Sequence, residues 1–123
     1  KPLARIVSHA THAQEPEWVA TAPLGATQKA LAKAGWTAGD VQLWEINEAF
    51  AVVPMALMKE LNLPHDKVNV NGGACALGHP IGASGARIMV TLIYALQARG
   101  LKKGLATLCI GGGEATAIAL ELV

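Results

Sequence analysis

Two runs in this chain would make helices with no polar face. Ile88, Met89, Val90, Leu92, Ile93, Ala95 and Leu96 point in nearly every direction around a helix axis. From Ala49 to Met58 every residue except Pro54 is an apolar non-proline side chain. A helix apolar all round has to be buried on all sides. One α/β layer of 123 residues cannot easily cover two of them. They are expected to lie between two sheets, one of which belongs to protein outside this chain. The composition agrees: 52% of residues are apolar and 15% charged, against about 25% charged in ordinary soluble domains.

Strand-like and helix-like runs alternate around these two segments. Leu3–His9 is rich in branched residues and reads as a strand. Thr11–Pro23 reads as a long loop. Leu24–Ala34 is helical, with Leu24, Thr27, Leu31 and Ala34 on one face, Gln28, Lys29 and Lys33 pointing away, and Gly35 as the stop. Val41–Ile46 is a second strand. A helix follows over Asn47–Leu61, with Asn47 as its N-cap and a kink expected at Pro54. Val68–Val70 reads as a short strand, and Asn71–Gly82 as a glycine-rich loop. Ser84 caps a helix that runs to Arg99 and stops at Gly100. The strands Gly104–Ile110 and Ala115–Leu122 close as an antiparallel hairpin over Gly111–Gly113. This pattern predicts an α/β fold with a mixed five-stranded sheet and helices on both faces.

Several functional classes are disfavoured. A net charge of +1 with no basic stripe argues against nucleic acid or an acidic membrane as partner. The stretch Ile88–Leu96 is shorter than the ~20 residues a membrane span needs. Cys75 and Cys109 fit no metal or redox spacing, so no metal site is expected. A reducing, cytoplasm-like compartment is the expectation. Lys1 stands first, and a strand begins almost at once, as in a piece of a longer chain.

Three loops carry chemistry, and each follows a predicted strand at the edge where parallel α/β sheets place their sites. In Asn47-Glu48-Ala49-Phe50, spacing favours Asn47 as a cap; its amide in a cleft is the alternative. In Gly72–Gly85, glycines leave His79 accessible between Gly78 and Pro80, which favours a functional imidazole over a structural one. The loop lacks the GK[ST] ending and the G-x-G-x-x-G spacing of nucleotide sites. In Cys109–Gly113, a thiol precedes three glycines whose N–H groups could line an oxyanion hole. A buried structural cysteine beside a flexible hairpin fits that segment equally well.

Together, NEAFA (Asn47–Ala51), NVNGGACALGHPIGASGAR (Asn69–Arg87) and CIGGG (Cys109–Gly113) resemble the three C-terminal signatures of thiolases, in the same order and with similar separations. The resemblance implies a thiolase C-terminal domain over residues 1–123, half of a layered αβαβα architecture whose N-terminal nucleophile domain lies elsewhere. His79 is similar to the histidine that activates the nucleophilic cysteine and donates to the thioester oxygen. Asn47 is similar to the asparagine that holds a water in the same oxyanion hole. Cys109 resembles the cysteine that moves a proton on and off the α-carbon of acetyl-CoA. Gly111 resembles a glycine whose N–H serves a second oxyanion hole. Ala49 and Phe50 fall where the family lines its pantetheine channel.

The implied reaction is a Claisen condensation, or its reverse, on 3-ketoacyl-CoA. Coenzyme A thioesters are substrates and no permanent cofactor is implied. An N-terminal thiolase domain and further copies of the protein are the expected partners, and the isolated chain is expected to be inactive. No segment here resembles the family's nucleophile motif. Cys75 lies in the histidine loop, where the family often has an apolar residue. Glu114-Ala115 departs from the apolar residue and glycine common after CIGGG, which leaves substrate preference open. Ketoacyl synthases generally have His where Cys109 stands. A non-catalytic assembly module with a thiolase fold is the alternative reading; an upstream nucleophile cysteine separates the two.

Overall fold

The computed structural model describes all residues from Lys1 to Val123. Its sheet has four strands: β1 (Ala4–Ala13), β2 (Leu43–Ile46), β3 (Lys103–Ile110) and β4 (Glu114–Leu122), in the order β1-β4-β3-β2. β2 runs parallel to β3; β3 with β4, and β4 with β1, are antiparallel. Four helices accompany it: α1 (Ala22–Ala34), α2 (Val52–Leu61), the single turn α3 (Ala74–Leu77) and α4 (Ile81–Arg99). A 3-10 turn over Pro16–Thr21 occupies much of the expected loop, and β1 continues to Ala13.

The expected fifth strand at Val68–Val70 is corrected by the structure. Only a single parallel bridge, Trp44 to Val68, forms there. At Asn69 the backbone turns left-handed, with φ 49°. The Asn69 side chain then takes over the pairing: its Oδ1 accepts from the Ile46 N–H at 2.8 Å and its Nδ2 donates to the Ile46 carbonyl at 2.8 Å. A side-chain amide therefore satisfies the edge of β2 where a fifth strand would have lain.

Helices cover both faces of the sheet. On one side Ala26, Ala30 and Leu31 of α1, with Val53 and Leu57 of α2, pack against Ala10, Trp44, Ile46, Leu105 and Ala117. On the other, Ile88, Leu92, Ala95 and Leu96 of α4 pack against Leu43, Ala106 and Leu120. Truncating Leu57 or Leu92, both buried, to alanine would cost roughly 2–5 kcal/mol. By length and composition α4 could cross a membrane; its first turns, Ile81–Gly85, add the length that the run Ile88–Leu96 lacks. Within this chain one flank of it is nevertheless packed on the sheet.

Three local expectations change. Asn47 is not an N-cap, because α2 begins five residues later, at Val52. Pro54 then falls in the first turn of α2, where its missing N–H would have had no helical partner, so it causes no kink. Ser84 also lies inside a helix, since α4 starts at Ile81 after Pro80. The burial expected on all sides of the two apolar helices is met on one side only: Val52, Met55, Val90 and Tyr94 are exposed.

The hairpin between β3 and β4 needs glycine for a steric reason as well as a conformational one. Gly113 has φ 97°, and a Cβ there would run into the Gln14 carbonyl and the Pro16 backbone of the β1 exit. The turn after Cys109 is thereby held against the neighbouring strand.

Candidate active site

Because β2 and β3 are parallel, their carboxyl ends share one edge of the sheet. Asn47 follows β2 directly and extends the ladder, its N–H donating to the Thr107 carbonyl at 3.0 Å. It is buried. Cys109 is the penultimate residue of β3. His79 arrives at the same edge from the loop ahead of α4, after Gly78 with φ 92°.

The side chains meet there. Asn47 Nδ2 lies 3.5 Å from His79 Nε2. On the opposite side of the ring, His79 Nδ1 is 2.6 Å from Ser84 Oγ, which donates to the Pro80 carbonyl at 3.1 Å. Since the Ser84 hydroxyl proton points at Pro80, Ser84 Oγ accepts from Nδ1–H. The neutral imidazole is thus held as the Nδ1–H tautomer, and Nε2 keeps a lone pair that faces the Asn47 amide. Ser84 is only 1% exposed, so this orientation is built into the first turn of α4.

A cavity of about 400 Å³ opens at this edge. His79, Cys109, Gly111, Ala49 and Phe50 all line it, with Val19, Ala20 and Ile81 among the apolar residues of its walls. All six residues singled out in the sequence are therefore neighbours: five border the cavity, and Asn47 meets His79 at Nε2. The Cys109 thiol is half-buried, and burial pushes its pKa up, partly offset by its backbone N–H. A thiolate formed there would be a stronger base than an exposed one.

Other residues are sorted by the same geometry. Cys75 opens onto a separate groove beside Met55 and Met58; a hydrogen bond to the Glu48 carboxylate raises its thiol pKa. Glu114 borders a different hollow, with Thr11 and Lys29, rather than the cavity of His79. Ser84, Glu48 and Asn69 are site residues that the sequence reading missed or took for something else. Their signal was their position inside the quoted strings: Ser84 follows His79 by one helical turn, and Glu48 adjoins Asn47.

The chain belongs to the thiolase family, matching the model of the thiolase C-terminal domain over residues 1–122. It is 60% identical over 121 residues to an acetyl-CoA acetyltransferase of Chromobacterium violaceum, covering 98% of this chain and 31% of that protein. It is 54% identical to the cytosolic acetyl-CoA acetyltransferase of Mus musculus, covering 98% of this chain and 30% of the relative. The crystal structure of the Bacillus anthracis acetyl-CoA acetyltransferase superposes with a TM-score of 0.97 at 49% identity, over 100% of this chain and 31% of that one. The chain thus spans about a third of the length of the relatives it matches.

Proposed function

We propose that this domain supplies the acid–base half of a thiolase that transfers acyl groups between coenzyme A thioesters, of the acetyl-CoA acetyltransferase type. The convergence of His79, Cys109 and Gly111 on one cavity, with Asn47 against the imidazole, carries this reading. His79 Nε2 takes the proton from a nucleophilic cysteine supplied by the upstream part of the protein. That thiolate attacks the thioester carbonyl, the coenzyme A thiolate leaves, and His79 returns the proton to it. The acyl group now waits on the upstream cysteine.

Cys109 as thiolate then removes a proton from the α-carbon of a second acetyl-CoA. The resulting carbanion attacks the acyl-cysteine carbonyl, forming the new carbon–carbon bond and releasing the cysteine thiolate, which is reprotonated by way of the His79 and Cys109 pair. The weak carbon acid needs its enolate oxygen stabilised by donors in a site shielded from water. In this reading His79, once protonated at Nε2 by the cysteine thiol, donates to the thioester oxygen, and a water held by the Asn47 amide beside it serves the thioester and enolate oxygens. Gly111 N–H serves the acyl-enzyme oxygen, and Ala49 and Phe50 flank the approach of the pantetheine arm. The reverse sequence cleaves a 3-ketoacyl-CoA.

The isolated chain is inactive in this reading because it holds no acyl-accepting cysteine at the cavity. The protein works as a homo-oligomer in a reducing, cytoplasm-like compartment. The test is thiolysis of a short 3-ketoacyl-CoA by this domain joined to its upstream thiolase segment, compared with His79→Ala. Loss of activity in the variant is expected. A joined protein that binds acyl-CoA yet neither acylates nor condenses would replace this reading with that of a non-catalytic module.

A further inference from the structure

Asn47 and His79 come from different segments, and a built network joins those segments just behind the site. Asn69 uses every polar atom of its side chain: two bonds hold the backbone N–H and C=O of Ile46 at 2.8 Å each, and the remaining Nδ2 hydrogen goes to Glu48 Oε1 at 3.1 Å. Its own N–H also donates to the Trp44 carbonyl at 2.9 Å. The end of β2, immediately before Asn47, is therefore pinned by one side chain.

The second Glu48 oxygen accepts from the Cys75 N–H at 3.2 Å, four residues ahead of His79. Gly73 makes room for this carboxylate; a Cβ there would overlap it. The backbone of Gly73 is extended, with φ −134°, so glycine is required at that position by the neighbouring carboxylate and not by backbone conformation.

We infer that Glu48 and Asn69 form a positioning clamp that sets the Asn47–His79 separation, tying the end of β2 to the loop that delivers the imidazole. The inference rests on the reading of that pair as catalytic. Neither clamp residue lines the cavity, and neither touches reacting atoms. Their effect is on geometry alone, so it falls on turnover rather than on acyl-CoA affinity.

The test uses the domain joined to its upstream thiolase segment, with Glu48→Gln, Asn69→Asp and Gly73→Ala. Glutamine presents an NH₂ where an acceptor is needed; aspartate removes both donors and faces the Glu48 carboxylate; alanine displaces that carboxylate while keeping both clamp side chains. Each variant should lower kcat by roughly 10- to 100-fold with KM nearly unchanged, the cost expected of a displacement near 1 Å. In ¹⁵N-histidine spectra the His79 imidazole signals should shift, and exchange of the Cys75 amide should accelerate. Faster Cys75 exchange with unchanged His79 signals and unchanged kcat would overturn the clamp. If the parent protein shows no acyl transfer, the functional reading fails on its own; the His79 signals still decide the clamp, shifted supporting it and unshifted refuting it. Should Asn69→Asp not fold, Gly73→Ala gives the same readouts.

Discussion

The Asn47 amide and the His79 imidazole face each other at 3.5 Å across 32 positions of sequence, with only a hydrogen-bond donor on the asparagine side. An Nδ2–H group pointing at Nε2 requires a lone pair there, and the Ser84–Pro80 relay on the other side of the ring requires a proton on Nδ1. Both constraints select the same neutral tautomer, the one that can accept a thiol proton at Nε2.

Replacing the donor by an acceptor should therefore be worse than removing it. In Asn47→Asp a carboxylate faces Nε2 and favours the imidazolium, which cannot act as base. The acid limb of the kcat/KM profile for thiolysis should move to higher pH by about one unit or more. Asn47→Ala should lower the rate without that displacement. Superimposable acid limbs for the parent protein and Asn47→Asp would refute the tautomer assignment.

Glu45 predicts a pH-dependent stability. It is 4% exposed, and its Oε1 has no hydrogen-bond partner. Burial, reinforced by Glu48 and opposed by Arg87, pushes its pKa from 4.5 to about 7. The folded state thus binds a proton more tightly than the unfolded chain. Stability from this group is full below pH 4.5 and is lost as pH rises through about 7. The shift corresponds to about 3 kcal/mol. Urea denaturation of the domain between pH 5 and 8 should show a decline that Glu45→Gln abolishes. An identical decline in the variant would place its origin elsewhere.

Much of the fold was legible because periodicity and turn chemistry agreed. Leu24–Ala34, the apolar-rich helix ending at Arg99 and the glycine hairpin each have a local cause, and each is found nearly where expected. The departures have non-local causes. Val68–Val70 has strand composition, but Asn69 substitutes its side chain for the next rung of the ladder. Asn47 and Ser84 have the residue types of caps, yet partners far away in sequence or one turn back claim them: the Thr107 carbonyl and the His79 ring for Asn47, and the His79 ring for Ser84. Cap propensity is a local rule: a tertiary hydrogen bond outweighs it at Asn47, and at Ser84 the helix has already begun at Ile81, after Pro80. The cavity residues His79, Cys109 and Gly111 stood out because glycines beside each mark backbone kept clear. Glu48 and Asn69 carry no such mark.

Cys109 should separate the two half-reactions. In the joined protein, Cys109→Ala should abolish condensation while leaving acylation by acyl-CoA within about an order of magnitude of normal, because only carbanion formation needs this base. With the thiol pKa raised by burial, the condensation rate of the parent protein should keep rising with pH beyond the range in which acylation levels off. Quench-flow detection of the acyl-enzyme, beside a steady-state condensation assay, reads both. Equal losses in the two half-reactions would show that the role assigned to Cys109 is wrong.

The uncovered helix faces predict association of the isolated domain. Val52 and Met55 share a face of α2, three residues apart, and Val90 and Tyr94 share a face of α4, four apart. All four are more than half exposed, at 53%, 60%, 53% and 57%. Ile6 is 59% exposed on β1, and Phe50 and Ile81 stand at the cavity mouth at 71% and 83%. Contiguous apolar surface beyond a few hundred Å² is uncommon on monomers. Purified residues 1–123 should therefore form dimers or larger species, detected by sedimentation at micromolar concentration. The double variant Val90→Lys, Tyr94→Lys should shift that distribution toward monomer with little change in stability, since neither side chain is in the core. A domain that stays monomeric at high concentration would show that these faces tolerate water, and the burial argument drawn from the two apolar helices would fall with it.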